Sequence, residues 1–592
     1  MIIKKIIKLL SHREQKIGFM LLLMTLVMAF LDMIGVASIM PFIAVLANPQ
    51  IIETNLILSK LFIFFEFEKK DDFILFLGLA AFALLVFSLA FKSLTTYMQL
   101  RFALMHEYKL GKRLVEGYLY QPYKWFLNRN SAEISKSILS EVSAIVNGCL
   151  MPMMSLVSQG AVAIAIMGMI LFVNPMASLI VCLVLGLAYG LIYKAVSNFL
   201  NKLGVKRAQA NELRFKVISE AFGAFKEVKV GGLERFFIDH FSTPAKNYAE
   251  KEATASIVRQ LPKYALEMVA FGGMLLALLY IIAQKGFTDA IPIIALYAFA
   301  GYRFMPALQQ IYSSLTQLKF VGPVLDSIYE DLISLEKEKE NNKKEKIDFK
   351  DSIELKKVFF TYPNESQPVL KNINLSIKCK QKIGIVGGTG SGKTTTVDLI
   401  LGLLKPERGS LTVDELEINS QNYRRWQSMI GYVPQQIYLS DESIAENIAF
   451  GVDKEDIDYK AVERVAKIAN LHDLVNNELK NGYQSVVGER GIRLSGGQRQ
   501  RIGIARALYH NPKLLIFDEA TNSLDNLTEK AVIESIQNID EDITIIMIAH
   551  RLNTVRNCDT IFLIEGGNLV AQGSFDELLK NNSSFKKMVN SD

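Results

Sequence analysis

Six long apolar runs constrain this 592-residue chain more than any other feature. A helix of about 20 residues crosses the roughly 30 Å hydrocarbon core of a bilayer, and each run is long enough to do so. Hydrophobic residues make up 50% of the chain, which is typical of a membrane protein. The sequence therefore predicts an α-helical bundle of six membrane spans, which are residues 18–46, 73–97, 150–173, 176–196, 264–284 and 288–308.

The connections between these spans predict which side of the membrane each end faces. Residues 98–149 and 197–263 are long, polar and rich in Lys and Arg, and basic residues also precede the first span. The positive-inside rule places these segments in the cytoplasm, and six spans return the C-terminus to the same side. Each long connection keeps helical periodicity, and as a helical hairpin it would reach about 35 Å beyond the membrane at roughly 1.5 Å per residue. We expect the aromatic tips, 121–127 and 220–225, to dock into another domain; the alternative is a loop that packs on itself.

The composition changes after the sixth span. Residues 334–350 form a mixed-charge run without apolar periodicity, which predicts a solvated linker or the end of a helix. Beyond it, β-branched strands alternate with amphipathic helices, as in a soluble α/β domain. The sequence thus predicts a transmembrane domain at 1–333 and a soluble domain at 351–592. The four cysteines have no paired spacing, which predicts reduced thiols rather than a disulfide framework or a metal site.

One motif in the soluble part predicts a phosphate-binding loop. An apolar strand at 383–386 is followed by Gly387–Thr394, which fits G-x-x-x-x-G-K-[ST], and then by a helical segment at 395–404. Glycines let backbone N–H groups turn inward around phosphate oxygens, and the helix N-terminus adds its positive dipole end. We expect Lys393 to reach the β- and γ-phosphates and Thr394 to bind Mg²⁺. The residues predicted to bind the nucleotide in this motif are Gly387, Gly388, Thr389, Gly390, Ser391, Gly392, Lys393, Thr394 and Thr395.

A second strand predicts the carboxylates needed for hydrolysis. Residues 513–517 are mostly apolar, as expected of a buried parallel strand, and they end in Asp518 and Glu519. Ligand sites of α/β domains lie at the carboxyl ends of the strands. We expect Asp518 to hold Mg²⁺ through water. Glu519 is the predicted general base, which polarises the water that attacks the γ-phosphate.

The stretch between these two motifs resembles the ATPase domain of ABC transporters. Its signature is "LSGGQ" at residues 494–498, and further positions match the family in order. These positions are Tyr362 in "FTYP", Gln435 in "YVPQQ", Gly488–Gly491 in "GERG", Asn522–Asp525 in "NSLD" and His550 in "IIMIAHR". The resemblance covers about residues 350–592, and the six-span layout before it resembles the exporter branch. Two departures remove no functional group: Gly388 stands where proline is frequent, and Asn522-Ser523 where Ser-Ala is commoner.

The resemblance implies a fold and an assembly. The soluble part would be an α/β P-loop ATPase domain with an antiparallel β subdomain and a helical signature subdomain. Two such domains would sandwich two ATP molecules, each between the P-loop of one domain and the signature of the other. A chain with one membrane domain and one ATPase domain is therefore expected to work as a homodimer. ATP and Mg²⁺ are the implied cofactors, and both sites would hydrolyse ATP because Glu519 and the signature are intact.

The resemblance also implies roles for single side chains. Tyr362 would stack on adenine, Gln435 would contact Mg²⁺ and sense the membrane domain, and His550 would hold the γ-phosphate and the attacking water. The signature would present a helix N-terminus to the γ-phosphate of the opposite subunit. The remaining implied nucleotide contacts are Ser495, Gly496, Gly497, Gln498 and Asp525.

Other classes of ABC protein fit the sequence less well. Six spans and a single ATPase domain exclude a soluble ATPase acting on ribosomes or DNA, so no nucleic-acid partner is expected. Two complete hydrolytic sites disfavour an ATP-gated channel. Fused exporters need no periplasmic binding protein, and only about 17 residues precede the first span, which argues against a processing peptide exporter. The expected location is a bacterial inner membrane with the ATPase domain in the cytoplasm.

The external connection bears on the cargo. Residues 51–67 are mostly apolar with polar interruptions, which is typical of a short helix in the outer membrane interface. A helix that merely caps the two neighbouring spans is an equal alternative. An external helix in this loop resembles the lipid-linked oligosaccharide flippases of the ABC family, where it is thought to engage the polyprenyl tail. We therefore expect a polyprenyl-pyrophosphate oligosaccharide as the amphipathic cargo; the alternative is export of lipid A-like lipids, hydrophobic drugs or peptides.

An anionic pyrophosphate needs cationic partners on its path. The candidates are Arg303, Lys92 and Arg101. A charge within a span is functional by default, but Lys and Arg at helix ends often only extend to the interface. Asp32 and Glu267 are the acids predicted to be buried in the spans, and pairing with a cation is as open for them as a substrate role.

Overall fold

The computed structural model describes residues 2–173, 175–285, 287–335, 347–363, 365–519, 542–549 and 551–591, and at part of the membrane helices it describes the backbone alone. These residues form two compact units. The first unit contains the described residues up to Gln121 and 129–335. The second contains Pro122–Asn128 and the described residues from 347 onwards. The chain therefore passes from one unit to the other on both sides of Pro122–Asn128 and again in the linker.

The described elements of the first unit are all helical. Two π-helical turns, Ser137–Glu141 and Val146–Leu150, interrupt the return path of the first hairpin. The α-helices up to the linker, of which only α7 belongs to the second unit, are α1 Ile2–Leu9, α2 His12–Ala37, α3 Ile39–Ala47, α4 Ile51–Thr54, α5 Leu56–Phe64, α6 Lys70–Leu119, α7 Tyr123–Phe126, α8 Ser131–Lys136, α9 Val142–Ile145, α10 Met151–Val173, α11 Pro175–Gly223, α12 Phe225–Val230, α13 Glu234–Lys285 and α14 Phe287–Ser334.

Three stretches of the described helices are long and apolar enough to cross a membrane. They are His12–Gly35, Lys70–Leu119 and Ser131–Met169, and they overlap the first three predicted spans. The first predicted span is not one helix, since α2 ends at Ala37 and α3 begins at Ile39. The break has a local cause. Pro41 has no N–H, so it is accommodated in the first turn of a new helix rather than inside a continuous one.

The other three predicted spans coincide with long helices. Residues 176–196 lie on α11, 264–284 on α13, and 288–308 on α14. Most of their side chains lie outside the part of the chain that the structure describes. Over most of their length, the structure therefore shows that these spans are helical and does not describe their side-chain contacts.

The two long polar connections are helical hairpins. In the first, α6 continues beyond its span to Leu119, and the short helix α7 forms the tip where the sequence predicted a docking segment. In the second, α11 continues through most of the predicted tip and ends at Gly223. The chain turns at Ala224, inside the predicted tip, and again beyond it at the Gly231–Leu233 bend, where Gly232 adopts a positive φ of 61°.

A carboxylate near the end of α14 contacts residues on both sides of Pro122–Asn128, the tip of the first hairpin. Asp331 accepts a hydrogen bond from the Tyr118 hydroxyl at 2.9 Å, and its Oδ1 lies 3.0 Å from Nη2 of Arg129. Burial and the charge of Asp331 raise the pKa of Tyr118, so its hydroxyl remains a donor. Arg129 also lies 3.7 Å from Glu133, one helical turn further along. The residues that flank Pro122–Asn128 are thus held by the helix that leads into the linker.

Alanine variants at two glycines in the helices of the first unit can distinguish the effect of close helix packing on stability from the effect of helix propensity. A Cβ on Gly204 would lie 2.0 Å from the carbonyl oxygen of Phe320, whereas a Cβ on Gly111 would meet nothing within 4 Å. We expect Gly204→Ala to force α11 and α14 apart and to lower the unfolding temperature by several degrees. Gly111→Ala should leave that temperature unchanged or raise it, because Ala is better than Gly in a helix interior by about 0.5–1 kcal/mol. Thermal unfolding of both variants in the same detergent checks this, and equal shifts would contradict it.

The second unit is an α/β domain with two sheets. Its strands are β1 Ser352–Phe360, β2 Leu370–Lys378, β3 Lys382–Val386, β4 Arg408–Val413, β5 Leu416–Glu417, β6 Ile430–Val433, β7 Leu514–Asp518, β8 Thr544–Ile548, β9 Thr560–Glu565 and β10 Asn568–Gly573. Its described α-helices after the linker are α15 Lys393–Ile400, α16 Tyr423–Gln427, α17 Ile444–Ile448, α18 Tyr459–Ile468, α19 His472–Glu478, α20 Gly496–Tyr509 and two C-terminal helices, Phe575–Asn581 and Ser583–Ser591.

The order of the strands determines where a ligand can bind. The smaller sheet is antiparallel, in the order β2-β1-β4-β5, and the larger sheet has the order β10-β9-β3-β8-β7-β6. Strands β9, β3, β8, β7 and β6 run parallel, so the carboxyl ends of β3, β6 and β7 share one edge. Ligands of α/β sheets bind at that edge. The predicted α/β fold with an antiparallel β subdomain is confirmed.

Both faces of the parallel sheet are buried. Along β7, Leu515 and Phe517 pack into the core formed with α17–α20, and Leu514 and Ile516 pack into the core formed with α15 and the antiparallel sheet. A strand that is covered on both faces has apolar residues at nearly every position. The apolar sequence of residues 513–517 therefore predicted a buried parallel strand.

Candidate nucleotide-binding site

The predicted phosphate loop joins β3 to α15. Its backbone takes positive φ values at Gly387 (153°), Gly390 (75°) and Gly392 (104°), and Gly392 is the N-cap of α15. The hydroxyl of Ser391 is buried and makes no hydrogen bond within the described structure. A turned glycine backbone, a helix N-terminus and a buried hydroxyl with bonding capacity left over fit a bound polyphosphate.

The Lys393 side chain folds over this loop. Its Nζ donates to the carbonyl oxygens of Gly387 at 2.9 Å and Gly388 at 3.1 Å. Burial lowers the pKa of Lys393, although the charges of Glu519 and Asp518 act in the opposite direction. Phosphate oxygens would give this ammonium charge-assisted hydrogen bonds, which are stronger than its bonds to neutral carbonyls.

Two neighbouring glycines of the loop make a matched pair of variants. A Cβ on Gly387 would lie 2.1 Å from the carbonyl oxygen of Ile564, while a Cβ on Gly388 would meet nothing within 4 Å. A forced backbone change of this kind costs about 1–3 kcal/mol, and about 1.4 kcal/mol is tenfold in affinity. We expect Gly387→Ala to weaken ATP binding about 5–150-fold and Gly388→Ala to leave it unchanged, as measured by equilibrium nucleotide binding. Equal affinities would show that the loop does not need the Gly387 conformation.

The predicted carboxylates follow β7 at the same edge of the sheet. Asp518 is buried, and its Oδ2 accepts a hydrogen bond from the Tyr432 hydroxyl at 3.1 Å. Burial raises the pKa of Asp518, and the Tyr432 hydrogen bond opposes this. Gln435 donates from Nε2 to Oε2 of Glu519 at 2.6 Å. The structure thus brings Gln435 and Glu519 together, because β6 and β7 are parallel neighbours.

The backbone of Glu519 is strained. Its φ is +49°, in the left-handed region that residues other than glycine rarely adopt, and its N–H donates to the carbonyl oxygen of Ile548 on β8 at 3.1 Å. Such a conformation costs about 1–3 kcal/mol and persists where the surroundings impose it. A strained backbone of this kind is common at functional sites, which is in line with the predicted role of Glu519 as the general base.

The predicted adenine-stacking residue lies beside the start of α15. The Tyr362 hydroxyl is 3.1 Å from Oγ1 of Thr395, and its ring packs edge-on against Phe360 with 5.0 Å between centroids. Burial raises the pKa of Tyr362. Its stacking on a base remains a prediction.

Sequence reasoning missed two residues of this site. Tyr432 holds Asp518, and its place three residues before Gln435 on strand β6 could have indicated this. Asp398 lies on α15, where burial and the charge of Asp518 raise its pKa to about 7. Nothing in the helical sequence around Asp398 signals that environment, which depends on a strand far away in the chain.

The signature begins a helix. Ser495 is the N-cap of α20, where its Oγ accepts from the Gln498 N–H at 3.2 Å while Gln498 Oε1 accepts from the Ser495 N–H at 2.8 Å. This capping box fixes the first turn. Ser495 and Gly496 are exposed, whereas Gly497 is buried. The exposed helix N-terminus is suited to a phosphate group from outside the chain.

Part of the predicted site lies outside the described residues. This applies to His550, to Asp525 with the rest of Asn522–Asp525, and to the side chain of Arg303. Their predicted roles stay predictions.

The structure gives two of the span acids partners within the chain. Asp32 is buried, accepts from the Ser88 hydroxyl at 2.9 Å, and lies 3.5 Å from Nζ of Lys92. Glu267 lies 3.8 Å from Nζ of Lys263. Asp32 and Glu267 are therefore each paired with a lysine, which was one of the two roles that the sequence left open for them. A structural role is favoured for Lys92, since its ammonium already balances a buried charge.

The last substrate candidate is exposed. The guanidinium of Arg101 donates to the Tyr97 hydroxyl at 3.4 Å, one turn earlier on α6. Nothing in this contact prevents Arg101 from meeting an anionic group, and its role remains a prediction.

The site offers oxygen ligands of the kind that Mg²⁺ prefers. They are the Thr394 hydroxyl, the Asp518 carboxylate and the Gln435 side-chain carbonyl. Within the described residues, no group of three or more His, Cys, Asp and Glu side chains could hold a metal by itself. Few protein ligands are expected where phosphate oxygens and water complete the shell of Mg²⁺.

The fold and the site define an ABC transporter. The family described as "ABC transporter transmembrane region" matches residues 17–306, and the family described as "ABC transporter" matches residues 370–522. The chain belongs to the ABC transporter family and carries one membrane domain and one ATPase domain, as a half-transporter does. It is an ATP hydrolase coupled to transport, as the sequence predicted.

Two relatives and one solved structure show which ABC transporters the chain resembles. The ATP-dependent lipid A-core flippase of Saccharophagus degradans is 32% identical over 485 residues, which is 81% of each chain. The leukotoxin translocation ATP-binding protein LktB of Mannheimia haemolytica is 44% identical over 243 residues, which is 40% of this chain and 33% of that protein. A solved structure, described as a bacterial Atm1-family ABC exporter with ATP bound, matches with a TM-score of 0.81 at 21% identity over 96% of this chain and 98% of that chain. This last likeness shows the exporter fold.

Proposed function

We propose that two copies of this chain form a flippase of the bacterial inner membrane, which uses ATP to move a lipid A-core-like glycolipid between the leaflets. The observation that carries the proposal is the likeness to a lipid A-core flippase over 81% of both chains. This cargo was the alternative that the sequence left open. It now has more support than a polyprenyl-pyrophosphate oligosaccharide.

The residues of the nucleotide-binding site have distinct roles in the hydrolysis of ATP. ATP, bound between the P-loop of one copy and the signature of the other, supplies the free energy when it is hydrolysed. Lys393 offsets the charge of the phosphates, and Thr394, Asp518 and Gln435 would hold Mg²⁺. Glu519, positioned by Gln435, accepts the proton of the attacking water.

The coupling to transport follows from the hairpins. Binding of ATP would close the two ATPase domains, and the hairpin tips would pass that movement to the spans as a rigid-body change. Hydrolysis and release of phosphate would let the domains part again. The membrane domain would thus face the two sides alternately.

A lipid-linked oligosaccharide remains a second candidate because of the external segment. On α5, Leu56, Ile57, Ile63 and Phe64 are exposed along one face with Lys60 among them, while Leu58 is buried on the other. An exposed apolar face favours a helix in the membrane interface over a simple cap on the spans. Such a helix would suit a cargo with a long lipid tail and an anionic head.

Translocation in proteoliposomes tests both candidates. The wild type and Glu519→Gln are reconstituted with ATP and either a fluorescent lipid A-core glycolipid or a polyprenyl-pyrophosphate oligosaccharide, and loss of each from the ATP-facing leaflet is measured. We expect ATP-dependent movement of the glycolipid by the wild type alone.

Each result has a clear meaning. Movement of the oligosaccharide but not the glycolipid would establish the second candidate, and deletion of 51–67 would then test the external helix. Healthy ATP hydrolysis with neither lipid moved would rule out both cargoes.

A further inference from the structure

The N-terminal helix α1 has one face fixed to its own chain. Ile6 is 3% exposed and Leu9 is 5% exposed. Nζ of Lys5 lies 2.7 Å from Oδ1 of Asp326 and 5.1 Å from the centre of the Tyr329 ring, both on α14. These contacts hold α1 against the last helix of the membrane domain.

The opposite face of α1 mixes apolar and basic side chains. Ile3 and Ile7 are 54% and 45% exposed, and Lys4 and Lys8 are exposed beside them. Each pair is spaced by four residues, so the two pairs form parallel rows along one side of the helix. Within the described chain, neither Lys4 nor Lys8 has an ion-pair partner.

Hydrogen bonds at the turn between α1 and α2 fix the position of α1 relative to the first span. Helix α2 begins at His12, and the Ser11 N–H and hydroxyl both donate to Oε2 of Glu14 at 2.8 Å. The side chain of Gln15 donates back to the carbonyl oxygen of Ile7 at 3.1 Å. Because α2 continues directly into the membrane, α1 lies at the point where the chain enters the bilayer.

We propose that this outer face of α1 binds anionic phospholipids of the cytoplasmic leaflet, with Lys4 and Lys8 on the headgroup phosphates and Ile3 and Ile7 among the acyl chains. The proposal uses the cytoplasmic orientation of the proposed function but not its cargo. Basic residues beside apolar ones on one helix face fit the interface of an anionic leaflet in both charge and polarity. The Lys5–Asp326 pair places this lipid-binding helix in direct contact with α14, which leads to the linker.

Lipid-dependent stability of the full chain tests the proposal. Wild type, Lys4→Gln/Lys8→Gln and a control of equal charge change, Lys586→Gln/Lys587→Gln in the ATPase domain, are purified in detergent. Each is titrated with short-chain phosphatidylglycerol or phosphatidylcholine, and the unfolding temperature gives the apparent affinity. We expect the α1 variant to bind phosphatidylglycerol about 30-fold more weakly, since a lysine at an anionic surface contributes about fivefold and two act together.

The control and the neutral lipid keep the result interpretable. The three proteins should unfold at the same temperature in phosphatidylcholine, and Lys4→Arg/Lys8→Arg should bind phosphatidylglycerol like the wild type. An unchanged phosphatidylglycerol affinity in the α1 variant, or an equal loss in the control, would overturn the proposal. So would a stronger response to soluble polyglutamate than to phosphatidylglycerol, which would indicate an acidic protein segment as the partner. None of these readouts depends on which cargo is transported.

Discussion

Glu519→Gln is expected to lower ATP hydrolysis by about 10²–10⁴-fold, the usual contribution of a general base, and to leave ATP binding unchanged. The amide keeps the shape of the side chain and can still contact Gln435, which lies 2.6 Å from the carboxylate. It cannot accept a proton from water at neutral pH. Phosphate release at saturating ATP measures the loss, and equilibrium binding of ATP shows whether the site is intact.

A second glutamate supplies the control for this experiment. Glu417→Gln makes the same chemical change at an exposed position on β5, and it should hydrolyse ATP like the wild type. Hydrolysis by Glu519→Gln within about tenfold of wild type would assign the base to another residue. Because Glu519 has a φ of +49°, Glu519→Gly relieves the strain while removing the carboxylate, and it should be equally inactive.

Asp331→Asn is expected to lower transport about tenfold while ATP hydrolysis stays close to wild type. The change removes the charge that Arg129 pairs with at 3.0 Å, and it weakens the acceptor for Tyr118. These contacts hold both sides of the Pro122–Asn128 tip to the end of α14. Losing coupling contacts of this kind costs about 0.5–2 kcal/mol, which corresponds to roughly 2–30-fold. Parallel measurements of ATP hydrolysis and of lipid movement in the same proteoliposomes separate the two activities.

Glu133 provides a matched change for this pair. Glu133→Gln removes the other carboxylate beside Arg129, which lies at 3.7 Å on the more exposed side, and should leave both activities unchanged. If Asp331→Asn lowered hydrolysis and transport to the same extent, the contact would support the fold rather than the coupling. Unchanged transport would show that the tip does not need this anchor.

Most of the fold could be predicted because its signals are local. Apolar runs and their basic flanks indicated the membrane helices, and the apolar strand before Asp518 indicated a strand buried on both faces. The break at Ser38 was missed, because the apolar run continues through it and only Pro41 marks the new helix. The second hairpin turn was predicted only in part: the helix breaks at Ala224, inside the expected tip 220–225, whereas the Gly231–Leu233 bend lies beyond it.

The part of the site that is carried by sequence motifs could be predicted. Lys393, Asp518 and Glu519 could be named as candidates because the P-loop motif has fixed spacing and the two acids directly follow an apolar strand. The Tyr432 hydroxyl on Asp518 and the raised pKa of Asp398 were not, because they arise from the order of strands in the folded sheet. The ion pair between Asp32 and Lys92 likewise depends on how two spans align, which their separate sequences do not specify.

The membership of Pro122–Asn128 in the second unit has a practical consequence for dissecting the protein. Cutting the chain at the linker gives a soluble fragment that lacks a short piece of its own folded unit. That piece is encoded far upstream, so no single continuous segment of the gene specifies the whole unit. A fragment that carries Pro122–Asn128 on an added tether should be more soluble and more resistant to heat than one cut at the linker.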